Sequence, residues 1–430
     1  MTHPPMPTTD AARRRAQRAW CLYDWANSAF VTSVVSALLP VYFARLAARE
    51  LPAHQVTATW GYASAAALAV AAVLSPLVGA LADRRGRRKP MLAACVAWGA
   101  LGTVGLALLP PGSWALLPLA YGVAFVAFAI GNVLYDALLA AVAGPHEWDR
   151  VSARGFAWGY LGGGALLAVN LAMVPMPARF GFADAGEATR ASFATVAVWW
   201  VAFSLPLFRR VPEPAPPAEG AGAAGWRLGD TIALLRRHPD LATFLLAFWL
   251  YSDGIGPIVR LATLYGAEVG LGDRDLLGAL LLVQVLGAPA ALAFGRLAGP
   301  LGARGAILVG LAGYVVIVGF AFTLHHAWQF WALAAMVALV QGGTQALSRS
   351  LFASLVPAPR RGELFGFYSV SEKLAGIVGP LVFAVVAQVA HGGRWATLAL
   401  LPMFVGGAWL LLRVDVARGA AAARAAERAT

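Results

Sequence analysis

Between two long apolar runs lies Gly79-Ala80-Leu81-Ala82-Asp83-Arg84-Arg85-Gly86-Arg87-Arg88-Lys89, with five cations in its last six positions. A segment this basic cannot enter hydrocarbon, so it is a loop between membrane helices, and its excess of Arg and Lys assigns it to the cytoplasm. Asp83 and Arg84 stand directly after an apolar run, where charge-assisted hydrogen bonds can tie a helix end to its neighbours. Gly86 supplies the tight turn that the next helix start demands.

Only 13% of the 430 residues are charged and 60% are hydrophobic. A soluble domain carries about twice that share of charge, so the chain reads as an integral membrane protein. The formal net charge of +12 is spread over short loops between apolar runs. It therefore reads as topology signals and contacts to membrane lipids rather than as a nucleic-acid surface. Two cysteines, Cys21 and Cys95, imply no disulfide framework. Residues 1–19 are rich in Pro and Arg and carry no cleavable signal pattern.

At roughly 20 residues per span, the sequence predicts twelve helices. They centre near Val34, Leu68, Gly99, Phe125, Leu161, Val198, Asp253, Leu282, Ile317, Val337, Val378 and Met403. Outside these spans Arg45, Arg49, Arg179, Arg190, Arg274 and Arg394 fall on one side, and the far more numerous remaining loop cations, with Arg349 counted among them, fall on the other. That asymmetry places both termini in the cytoplasm of a cell (inner) membrane protein. Pro-Glu-Pro-Ala-Pro-Pro at 212–217 opens a linker. The predicted organisation is thus a tail (1–19), a six-helix bundle (20–208), a linker (209–238), a second bundle (239–413) and a tail (414–430). The second bundle repeats the first: Gly295 to Arg304 occupies the place of the opening loop, and Leu355-Val356-Pro357 that of Ala143-Gly144-Pro145. A parallel repeat of this kind puts a binding site between the two bundles.

The spacing Gly79-x-x-x-Asp83-Arg84-x-Gly86-Arg87-Arg88-Lys89 resembles the loop between helices two and three of major facilitator superfamily transporters. Tyr23-Asp24-Trp25-Ala26-Asn27-Ser28-Ala29-Phe30 resembles, more narrowly, the first-helix signature of the Unknown Major Facilitator family, related to fungal vacuolar amino-acid effluxers. Arg154 to Gly163, Tyr251 to Gly254, Gly342 to Ser350, and Phe367-Tyr368-Ser369 with Lys373 resemble further stretches of the same family. Glu372 and Arg260 depart from its pattern. The resemblance implies an all-α membrane protein of twelve helices in two pseudo-symmetric halves. It also implies a secondary transporter of small polar solutes, with amino acids the leading class and proton coupling and uniport both open.

Several polar residues are candidates for the solute or ion path. Asp24, Asn27, Ser28 and Thr32 share a helical face, although Asp24 can equally anchor the helix end. Asp136 stands about two turns from its helix end, with Arg154 across a short loop as a candidate partner; a structural ion pair is the alternative. Asp253 falls roughly 18 Å into a ~30 Å core. A carboxylate there costs about 2.5–3.5 kcal/mol on insertion scales, and Gly254, Gly256 and Pro257 beside it suit a helix broken at a cavity. Arg260 shares the face of Asp253, as its salt partner or as a site for a substrate carboxylate. Glu372 and Lys373 are adjacent, so they diverge by about 100° and cannot serve one face; Lys373 is the better path candidate. Gly155, Gly159 and Gly163 form a bare stripe for close helix contact, at which the two bundles could slide.

Enzymatic signatures are missing from the sequence. His146-Glu147-Trp148-Asp149 lacks the second His of a zinc-protease motif, and no Walker A stretch occurs. No cofactor, metal or catalytic residue is expected, and the chain is expected to act as a monomer. A non-transporting solute sensor on the same fold is the alternative reading; neither tail is long enough for a signalling domain.

Overall fold

The computed structural model describes residues 9–110, 112–214, 228–268, 273–324, 326–389 and 393–429. Among these, regular structure is helical throughout. The first helix, α1 (Asp10–Ala29), starts where Thr9 accepts the Ala12 N–H at 3.2 Å. It therefore begins inside the stretch expected to be a tail. The run Ala11 to Ala19 is Ala, Arg and Gln, all good helix formers, with nothing to break a helix once it is capped. A π-helical segment, Phe30–Leu38, carries the chain into α2 (Leu39–Ala47).

Helices α3 (Ala53–Arg85), α4 (Arg88–Leu108), α5 (Leu117–Ala137), the single turn α6 (Leu139–Val142), α7 (Trp148–Met173) and α8 (Ala185–Arg210) follow. Gly86 ends α3 in the left-handed conformation, φ 56°, and reverses the chain into α4 within three residues. After α8 come the short α9 (Leu228–Arg237), which lies in the expected linker, and α10 (Pro239–Glu268). Next is α11 (Asp273–Phe322), which is divided at Gly302, φ 69°, two residues after Pro300. This break coincides with the degraded copy of the basic loop. Then come α12 (Ala327–Leu355), α13 (Arg361–Val389), α14 (Gly393–Leu398) and α15 (Leu401–Arg413). The expected C-terminal tail forms α16 (Val416–Ala429). Its Arg418 is bound by Asp240 through two bonds of 2.7 Å, which raises the guanidinium pKa.

Among the described residues, eight helical stretches are long and apolar enough to cross a membrane. Their outer surfaces carry Trp98, Leu101, Leu108, Val198, Val316 and Leu339, all exposed. An apolar exterior of that extent is stable against lipid and costly against water. In the interior, α1 packs on α7 and α8, and α4 on α5 and α8. Beyond the linker, α10 packs on α13 and α15, and α11 on α12. The N-terminal helices (residues 10–210) meet the C-terminal ones (239–429) chiefly where α3 touches α13 and where α7 touches α11 and α12. The close of α3, the starts of α4, α7, α10 and α13, and the close of α12 gather at one end of the molecule, here termed the basic end.

Candidate functional site

The sequence enters α12 as an apolar helix and then places Ser348-Arg349-Ser350 within it. Arg349 is 4% exposed. A guanidinium removed from water is tolerated only if its donors and charge are met, and here residues from three N-terminal helices meet them. Its Nη1 donates to Oδ1 of Asp136 on α5 at 2.9 Å and lies 3.5 Å from Oδ2 of Asp24 on α1. Nη2 lies 3.4 Å from the same Asp24 oxygen and 3.0 Å from the Ser152 carbonyl of α7. Nε donates to Ser152 Oγ at 2.9 Å, and that hydroxyl donates onward to the Ala346 carbonyl at 2.7 Å.

Aromatic rings close the cluster. The guanidinium sits 4.7 Å from the ring centre of Trp20 and 4.5 Å from that of Phe156, cation–π distances. Trp20 stacks on Tyr135 at 4.4 Å, and the Tyr135 hydroxyl donates to Asp24 at 2.7 Å. Gly155 makes room: a Cβ there would collide with Asp24 and Trp20 and stand 3.1 Å from Arg349. One cation from the C-terminal helices thus clamps two carboxylates of the N-terminal helices.

A second contact lies at the same end. Asp83, in the last turn of α3, accepts the backbone N–H groups of Gly362 and Glu363 at 2.9 Å each. Those groups open α13, where the helix dipole favours an anion. Arg88 holds the carboxylate from its own side at 2.5 and 3.0 Å. The backbones of Gly79 and Gly362 touch, and Gly366 lies on Pro76. Ser350 donates to Asp149, a further bond between the two sets of helices.

The sequence model of the family described as "Vacuole effluxer Atg22 like" matches residues 52–424. The chain is a major facilitator transporter of the Atg22-like family. An "uncharacterized MFS-type transporter YxiO" of Bacillus subtilis is 36% identical over 92% of this Atg22-like chain and 94% of its own length. Autophagy-related protein 22 of Yarrowia lipolytica is 28% identical over 63% of the chain, which spans about half of that protein, 51%. In fold, the chain resembles the human organic anion transporter MFSD10 (TM-score 0.76, 17% identity, 93% of this chain and 99% of that one). It also resembles the E. coli fucose:proton symporter FucP (TM-score 0.73, 11% identity, 94% and 99%).

Within this Atg22-like fold the residues singled out from sequence separate into groups. Asp24 and Asp136 converge on one site, held by Arg349, whereas Arg154 had been the expected partner of Asp136. Arg349 itself had been counted with the loop cations; it is buried inside α12. The cation on Asp83 is Arg88, because the turn at Gly86 folds the start of α4 back onto the end of α3. Arg87 is exposed at that turn. Asn27 donates to Asn132 at 2.6 Å.

Gly155, Gly159 and Gly163 do face a helix at close range, but it is α1 of the same set, at Trp20, Asp24, Ser28 and Thr32. Contact with the C-terminal helices is made from α7 by Ser152, by Gly155 and Phe156 against Arg349, by Ala153 against Gly295, by Tyr160 against Gly287 and Gly342, and by Gly164 against Gln284. Asp253 is buried, and the next residue, Gly254, packs on Phe404. The side chains of Arg260, Glu372 and Lys373 lie outside the described residues.

Proposed function

We propose that this chain is a secondary transporter of a small polar solute, with amino acids as the leading class, working by alternating access between two six-helix halves. The halves are residues 20–208 and 239–413, with twelve spans between them. The observation that carries the reading is the clamp of Arg349 on Asp24 and Asp136. It joins the two halves at one end through ionic and hydrogen-bonded contacts, which can part and re-form. Asp83 on the first turn of α13 is a second detachable contact at the same end. The positive-inside rule puts this basic end in the cytoplasm of the cell membrane, so the conformation described is closed to the cytoplasm.

Asp253 is the leading solute or ion contact, because a buried carboxylate deep in a span is costly and is retained for function. Arg260 and Lys373 are the sequence candidates for the opposite charge, and a zwitterion presents both charges. Asn27 lines the approach from α1. Proton coupling suits the carboxylates at Asp24, Asp136, Asp253 and Glu372.

The test is a thermal-shift screen of the purified protein against amino acids, peptides, sugars, nucleosides and organic acids. A ligand of the folded state at 100-fold excess over Kd stabilises by about 2.7 kcal/mol. A rise in melting temperature with amino acids is expected; rises confined to another class would overturn the substrate assignment.

A further inference from the structure

The residue before α13 is Arg360, whose side chain carries no hydrogen-bond acceptor. A helix start ordinarily receives, from the side chain at that position, an acceptor for its second or third N–H group. In α13 these are the N–H groups of Gly362 and Glu363, and both go to Asp83. Asp83 thus caps α13 from the other set of helices.

The side chain of Glu363 is the natural competitor for that place. It is a carboxylate in the first turn of the same helix, where the dipole attracts it, and there it would set a second negative charge beside Asp83. It is drawn aside instead. Arg360 holds both of its oxygens, at 2.5 and 2.8 Å, and the Thr231 hydroxyl of α9 donates to one of them. Arg360 also reaches the Asp230 carbonyl and Thr231 Oγ1, at 3.4 Å each, so α9 grips the carboxylate and its arginine together. Thr231 is fully buried. The start of the linker is tied on the opposite side of the same contact. Lys89, next to Arg88, donates its ammonium to the Val211 carbonyl at 2.6 Å and its backbone N–H to the Glu213 carboxylate at 3.1 Å. Both flanks of the Asp83 contact therefore carry a piece of the linker.

We propose that Thr231 is a positioning residue of the gate at the basic end: by holding the Glu363 side chain away from the start of α13, it leaves the Gly362 and Glu363 N–H groups to Asp83. This inference rests on the alternating-access reading. Docking of α9 then favours the closed basic end, and its release hands the start of α13 to Glu363 and frees Asp83.

The experiment is a distance measurement by pulsed electron spin resonance. Spin labels are placed at His146→Cys and Leu301→Cys, exposed positions on opposite halves at the basic end, in a Cys21→Ala/Cys95→Ala background. Thr231→Val keeps the shape and removes the hydroxyl, whereas Thr231→Ser keeps the hydroxyl and removes a methyl. Loss of one hydrogen bond is about a two- to tenfold effect, so the closed-to-open ratio should fall by that factor in Thr231→Val and stay near the unmutated value in Thr231→Ser. A role in packing alone would give the reverse order. In a Glu363→Ala background, Thr231→Val should change nothing further. A ratio unmoved by Thr231→Val, or one that moves equally with the Glu363 carboxylate absent, would overturn the proposal. If the labels find the unmutated protein wholly closed, the same variants are read as the rate at which a maleimide modifies Ser350→Cys. That position is buried between the halves, and its modification rate scales with the open fraction however small. Asp83→Asn separates the two readings. If it too leaves the ratio unchanged, Asp83 is no gate contact and the alternating-access reading loses its second latch. If it opens the basic end while Thr231→Val does not, the gate stands and Thr231 has no part in it.

Discussion

Asp83 accepts the backbone N–H of Gly362 at 2.9 Å, although 279 residues separate them. The bond uses no side chain of α13, so no charge pattern in the second half of the sequence announces it. What fixes it is the free N–H groups of a helix start and the absence of a Cβ at Gly79 and Gly362, which lets the two backbones meet.

Asp83→Asn keeps an acceptor oxygen but removes the charge that faces the α13 dipole and Arg88. Hydrogen bonds to charged groups contribute about 1.5–3 kcal/mol, so the closed-to-open ratio at the basic end should fall about tenfold or more. The labelled pair described above reads this directly, and the order of solute preference should be unchanged. An altered preference would show that Asp83 lies in the solute path and not at the gate.

Arg349→Lys retains the charge and loses the planar fork that reaches Asp24, Asp136 and Ser152 together. Breaking a buried pair costs about 3–5 kcal/mol. The lysine variant should therefore resemble Arg349→Ala in its open-to-closed ratio. Rescue by lysine to the unmutated ratio would reduce the clamp to a single point charge.

Glycines in α3 and α13 give a steric test with an internal control. At Gly362 an added Cβ would stand 2.6 Å from the Gly79 carbonyl and 2.7 Å from Asp83 Oδ1, whereas at Gly61 nothing lies within 4 Å. Gly362→Ala should force α3 from α13 and open the basic end. Gly61→Ala should leave the conformation unchanged and raise the melting temperature slightly, since Ala is favoured over Gly in a helix by up to about 1 kcal/mol.

Asp253→Asn is nearly isosteric and removes a charge from a residue only 1% exposed. Transport should drop by about tenfold or more while the variant still folds. Unchanged uptake would remove Asp253 from the path.

How much of this was legible in the sequence depends on the kind of interaction. Each expected helix centre lies in a helical segment, with Leu282 and Ile317 on either side of Gly302, because apolar length and glycine–proline punctuation are local signals. Asp24 and Asp136 were recognisable because carboxylates are rare in such runs. Their convergence was not, since 111 residues separate Tyr135 from Asp24 and 213 separate Asp136 from Arg349. Arg349 was overlooked because, near a helix end, a buried cation and an interfacial one have the same sequence signature. Ser348 and Ser350 beside it were the available hint: small hydroxyls flanking an arginine suit a packed interface better than a lipid boundary. The start of α1 at Asp10 was missed because an arginine-rich stretch reads as a tail, whereas arginine is also a good helix former.

The most direct test of the whole account is uptake of radiolabelled amino acids into proteoliposomes that contain the purified chain, with an imposed pH difference and a protonophore control. The account predicts saturable accumulation of at least one amino acid, collapsed by the protonophore and strongly reduced in the Asp24→Asn/Asp136→Asn variant. Ligand binding in the thermal-shift screen without any flux here would contradict it and favour a membrane solute sensor on the same fold.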